Sequence, residues 1–138
     1  MKIENEFIPF EQALALKELG FDKDCFGYYV NAELDLTWKF SDCSLYQDTH
    51  ISILAPLYQQ AFRWFKEKYK LMSCITPCSD GEYIFTLYDL NKCDLEVFVE
   101  DIEIMESEDS YEFFEEAELE CLKKLIDIVK LSHKTATI

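Results

Sequence analysis

The residues with the clearest chemical potential are carboxylates. Between Lys92 and Lys123 the sequence holds thirteen acids and no base: Asp94, Glu96, Glu100, Asp101, Glu103, Glu106, Glu108, Asp109, Glu112, Glu115, Glu116, Glu118 and Glu120. The window therefore carries −13 of the chain's formal net charge of −15. Carboxylates at this density can do two things. They can be a solvated face, which is what most charge runs are. They can also compete with phosphates for a basic protein's groove. Calcium chemistry would need a loop of oxygen ligands with a central glycine, and the window has none. A docking surface would be built from Glu96, Glu100, Asp101, Glu103, Glu106, Glu108, Asp109, Glu112, Glu115 and Glu116.

Thiols and imidazoles offer less. Cys74 and Cys78, with Cys93 and His50, make a loose set without the repeated tight pairs of a structural zinc site. No metal ligand and no cofactor are expected. The only histidines are His50 and His133. No serine lies in a nucleophile elbow and no glycine-rich phosphate loop occurs. The expectation is a protein that is not an enzyme.

One basic stretch interrupts the acidity. Arg63, Lys66, Lys68 and Lys70 surround Trp64, a combination that could stack on and neutralise a nucleic acid strand. The net charge of −15 opposes direct nucleic-acid contact and anionic membranes. Those lysines could equally meet the acids of a second copy in a homo-oligomer.

These groups must be held by a fold. The 138 residues suit one domain. Hydrophobic residues make up 49 % of the chain, enough for a core without staples. No membrane-length apolar run occurs, and acids occupy the N-terminus where a signal peptide would be apolar. A cytoplasmic location in a bacterial cell is expected, with the six cysteines reduced and mostly buried.

Pro9 and Gly20 bracket a helix over 9–19, with Phe21 placed to pack back on Leu16. Its apolar face would be Phe10, Ala13, Leu14, Leu16 and Leu19. Strands are expected over Cys25–Val30 and 34–40, then a polar loop over 41–50. Pro56 opens a helix to about Tyr69. Leu71–Thr76 and Glu82–Leu90 form a hairpin around Pro77-Cys78-Ser79-Asp80-Gly81. Residues 95–104 read as a strand or a short helix. A last helix runs over 110–131, capped by Asp109 with Glu112, and 132–138 is a flexible tail. The order αββαβββα predicts a single α+β domain, an antiparallel sheet of about five strands with three helices on it.

Three segments carry a resemblance: FIPFEQALALKELGFDKDCFGYYV (7–30), APLYQQAFRWFKEKYKL (55–71) and YEFFEEAELECLKKLIDIVK (111–130). Together they resemble short uncharacterised proteins of Bacteroides-type bacteria and of their phages and mobile elements. The resemblance implies a genomic setting and no activity. The expected function is a non-enzymatic phage or mobile-element accessory protein. It would bind a basic host protein, such as a defence or nucleic-acid-handling protein, and inhibit it. Two alternatives stay open: a homo-oligomeric assembly or virion protein, and a small metal-dependent enzyme.

Overall fold

The protein was analysed as a computed structural model, which describes residues 2–41, 52–93 and 99–136. It is an α+β protein with two three-stranded antiparallel sheets. Backbone contacts divide it into two compact units, Met1–Ala61 and Phe62–Ile138.

The first unit holds α1 (Phe10–Glu18), β1 (Cys25–Val30), β2 (Glu33–Ser41) and β3 (Ser52–Ala55), in sheet order β2-β1-β3. The end of α1 follows from its residues. Gly20 takes φ 98°, which a side chain would resist. Its N–H bonds the Lys17 carbonyl and the Phe21 N–H bonds that of Leu16. This is a Schellman end, and Phe21 is buried with Leu16 as the spacing predicts. Of the expected apolar face, Ala13, Leu16 and Leu19 are buried and Leu14 is exposed. The unit's core gathers these with Phe7, Ile8 and Tyr29, whose hydroxyl donates to the Ile8 carbonyl. Asn31 and Ala32 both take positive φ, the two-residue hairpin turn joining β1 to β2.

Next comes α2 (Tyr58–Tyr69), inside which the division between the units falls. Gln60 Oε1 accepts the Leu57 N–H at 2.9 Å, half of a capping box. Tyr58, Ala61, Trp64 and Phe65 are its buried stripe.

The second unit holds β4 (Leu71–Pro77), β5 (Tyr83–Asp89), α3 (Val99–Ile102), β6 (Glu103–Glu106) and α4 (Phe114–Ala136). The sheet order is β4-β5-β6. Phe85 and Leu87 are buried beneath α4, whose Ala117, Cys121, Leu122, Leu125, Ile126 and Val129 supply the other side of the core.

Several expectations change. Among the described residues, one sheet of about five strands becomes two sheets of three, and three helices become four, because the short β3 pairs with β1 and α3 precedes β6. Helices do not share one sheet face: α1 packs on β3, and α4 packs on β4 and β5. The last helix starts at Phe114, so Asp109 and Glu112 do not cap it. Tyr111 is instead extended, exchanging two 2.8 Å backbone bonds with Tyr83. The helix runs through Ala136, past the expected tail, and the His133 ring lies 6.1 Å from that of Tyr69. Of the cysteines, Cys25 and Cys121 are buried, while Cys74 and Cys93 are exposed and Cys78 is half-buried. Positions 42–51 and 94–98, and with them His50, Cys43 and Glu96, lie outside the described residues.

Candidate functional site

The acids of the second unit divide between its two ends. The β4–β5 hairpin sets the axis, with Leu71 opposite Asp89 at one end and Pro77 opposite Tyr83 at the other. At the Pro77 end lies the tight turn. Gly81 takes φ 88°, the Cys78 N–H donates to the Glu82 carbonyl, and Asp80 Oδ1 accepts the Glu82 N–H. The Tyr83–Tyr111 pairing lays the segment before α4 against this turn. Ser110 Oγ then donates to Glu82 Oε2. Ser107 fixes the segment from the other side: its N–H donates to the Phe85 carbonyl, and its hydroxyl accepts the Phe85 N–H and donates to the Asp109 carbonyl.

Glu108, Asp109, Glu112, Glu115 and Glu116 are therefore gathered at the Pro77 end, and Glu106, opposite Thr86 in mid-strand, adjoins them; all are exposed. Asp80 and Glu82 join them, more than twenty residues earlier in the chain. Two neighbouring groups register the field. The Cys78 thiol is pushed up by burial first, then by the carboxylates of Asp80, Glu82 and Glu106. The Tyr111 phenol is pushed up by burial first, then by Glu120, Asp109, Cys121 and Glu108. Both groups hold their protons because an anion there would be poorly solvated and among like charges.

Glu100, Asp101 and Glu103 belong to the other end. They are exposed on α3 and at the start of β6. There α3 packs against the turn Leu90–Lys92, and the Leu90 N–H bonds the Lys70 carbonyl. A bulge in β6 governs its two acids. Thr86 pairs with Glu106, Leu87 with Met105 and Tyr88 with Glu103, the last step setting two residues opposite three. The extra residue re-phases the strand, so Glu103 and Glu106 share the face of Thr86 and Tyr88.

The acid end has an apolar element. Phe114 meets the Tyr83 ring edge-on at 5.6 Å, and Phe85 stacks on Tyr111 at 6.3 Å. Phe113, between Glu112 and Phe114, is 55 % exposed. Nearby lies an open cleft of about 330 Å³. Phe85 and Met105 line it, with Glu108, Asp109 and Tyr111 as well as Lys123 and Lys124. Lys123 pairs with Glu120 at 3.0 Å. Ser107 also lines the cleft, and its hydroxyl is engaged by the Phe85 N–H and the Asp109 carbonyl. The arrangement suits charge-guided binding.

The other candidates resolve differently. Trp64 is 4 % exposed, in edge contact with Phe65 at 5.1 Å and Tyr69 at 5.4 Å, so it cannot stack on a nucleic acid base. Lys68 covers its ring. Among the described residues, no three Cys, His, Asp or Glu side chains gather as a metal set. Among them also, no helix is long and apolar enough to cross a membrane.

No family model, curated protein or solved structure matches the chain.

Asp80 and Glu82 are the contributors that sequence reasoning missed. Their only local signal is the turn itself. What recruits them is the Tyr83–Tyr111 pairing, which no periodicity announces.

Proposed function

We propose that the Pro77 end of the second unit is a docking surface for a protein with a basic face. The reading is supported above all by the convergence of Asp80 and Glu82 with Glu106–Glu116 around the Tyr83–Tyr111 bridge. Eight carboxylates there steer a cationic partner from a distance, and salt screens that pull beyond about 8 Å. Phe113 offers an apolar anchor inside the charged rim, the arrangement that concentrates binding energy in few residues.

In this reading the protein is a non-enzymatic accessory protein of a phage or mobile element, acting in the bacterial cytoplasm. Its target is a basic host protein for defence or nucleic-acid handling, whose phosphate-binding groove the carboxylates occupy. The resemblance to short proteins of Bacteroides-type bacteria and their phages motivates that setting. The test is capture by the tagged protein from a lysate of such a bacterium, at low and at high salt. One basic protein retained at low salt and released at high salt is the expected result. An empty lane, or a partner indifferent to salt, overturns the reading.

A further inference from the structure

The two edges of the β4-β5-β6 sheet are built differently. One edge, β6, is four residues long, bulged, and carries Glu103 and Glu106. These are the devices by which proteins keep an edge from pairing with another chain. The other edge, β4, is Leu-Met-Ser-Cys-Ile-Thr-Pro, seven residues without a charge or a bulge. Met72, Cys74, Thr76 and Pro77 are exposed along it.

The register shows which backbone groups of β4 face away from β5 and have no partner among the described residues. Lys70 accepts from Leu90 and Cys78 donates to Glu82, so even-numbered residues face β5 in the hydrogen-bonded pairs. The odd-numbered residues then point outward. Leu71, Ser73 and Ile75 offer N–H and C=O groups at the edge, and Pro77 offers a C=O alone.

We propose that β4 pairs with β4 of a second copy, antiparallel about a two-fold axis at Cys74, giving a continuous six-stranded sheet. Full overlap of the strands sets Ser73 opposite Ile75 of the partner in hydrogen-bonded pairs. It also brings the Leu71 N–H to the Pro77 carbonyl of the partner, where the missing N–H of proline leaves one bond unmade.

Charge selects both the orientation and the occupant. Asp80 and Glu82 lie just beyond one end of β4, while Lys70 sits at the other, with Lys66 one turn earlier on α2. Antiparallel pairing sets each copy's Asp80 and Glu82 beside its partner's Lys70 and Lys66, twice by symmetry. Parallel pairing would set acid on acid. Within one copy the two ends stay apart, because seven strand residues span about 20 Å, over two screening lengths.

Sedimentation velocity over a concentration series should show twice the chain mass. Ser73→Pro removes an outward N–H and the side-chain bond to Cys121 but spares every backbone bond to β5, so circular dichroism should stay unchanged while the mass falls to one chain. Met72→Glu sets a carboxylate near the partner's acid end and should give the same result without a proline. Two Cys74 residues face each other in a non-hydrogen-bonded pair, where Cα atoms come about 4.5 Å apart. Diamide, taking up two thiol protons and two electrons, should therefore cross-link the wild type and the Cys93→Ser variant but not Cys74→Ser. A single-chain mass at every concentration, or a dimer that survives both Ser73→Pro and Met72→Glu, overturns the proposal. Partner capture at the acid end is read separately: the monomeric Ser73→Pro variant retains Asp80, Glu82 and Glu106–Glu116.

Discussion

The two ends of the second unit are both rich in carboxylates, yet they are not equivalent. At the Leu71–Asp89 end, Glu100, Asp101 and Glu103 share their surroundings with Lys70 and Lys92. At the Pro77–Tyr83 end, the acids of the turn and of the segment before α4 stand together beside an exposed phenylalanine. An uninterrupted acidic stretch in sequence is thus two surfaces in space. They adjoin along β6, where Glu106 lies opposite Thr86 and Glu103 opposite Tyr88. Local charge balance, rather than the count of acids, distinguishes the two ends.

The largest effect on this contrast should come from the helix that spans both ends. Leu125 is fully buried in α4. Leu125→Ala should cost about 2–5 kcal/mol in denaturant unfolding, through lost transfer energy and a residual cavity. Both ends should loosen together, and unequal loss of amide protection would break the account.

Alkaline pH should act next. The Cys121 thiol is held up at about 12, chiefly by burial, with a Ser73 hydrogen bond opposing. In the unfolded chain the thiol ionises near its ordinary value of 9.0. The folded state keeps the proton longer, so stability is intact below that value and falls as pH rises toward about 12. Burial raises Tyr29, Tyr69 and Tyr111 as well, adding to the loss. Thiol labelling at mildly alkaline pH should modify Cys74 and Cys93 and spare Cys121. Early labelling of Cys121 in the folded protein would contradict its place in the core.

Ser107→Ala should be smaller and confined to the acid end. It leaves the Phe85 N–H without its hydroxyl acceptor, at a cost of about 1–2 kcal/mol. Hydrogen exchange should quicken at 107–111 and stay unchanged at 100–103. The smallest effect should be electrostatic. Glu108→Gln with Glu112→Gln should raise Tm by about 1 °C at low salt by relieving repulsion, whereas Glu100→Gln should leave it unmoved. Equal shifts at both ends would erase the distinction.

Much of the fold was legible because the relevant signals are local. Gly20 and Phe21 announce the end of α1, and Cys25–Val30 is the expected strand to the residue. The hairpin around Gly81 follows from turn chemistry, and period places Tyr58, Ala61 and Phe65 in the core while missing Trp64. The misses have a common cause in non-local pairing. Ser52–Ala55 is too short to alternate, and it becomes a strand only through β1. Asp109 and Glu112 have the spacing of a helix cap, but the bridge to Tyr83 holds their segment extended. The acid surface was half legible. The run of carboxylates is plain in the sequence, while its division, the bulge that re-phases β6 and the recruitment of Asp80 and Glu82 depend on register.

The most direct measurement compares two neutralised proteins in the same capture experiment. One carries Glu106→Gln, Glu108→Gln, Asp109→Asn and Glu112→Gln; the other carries Glu100→Gln, Asp101→Asn and Glu103→Gln. A docking surface at the Pro77 end predicts that the first loses the salt-sensitive partner and the second keeps it. Retention by the first, or equal loss by both, would contradict the account.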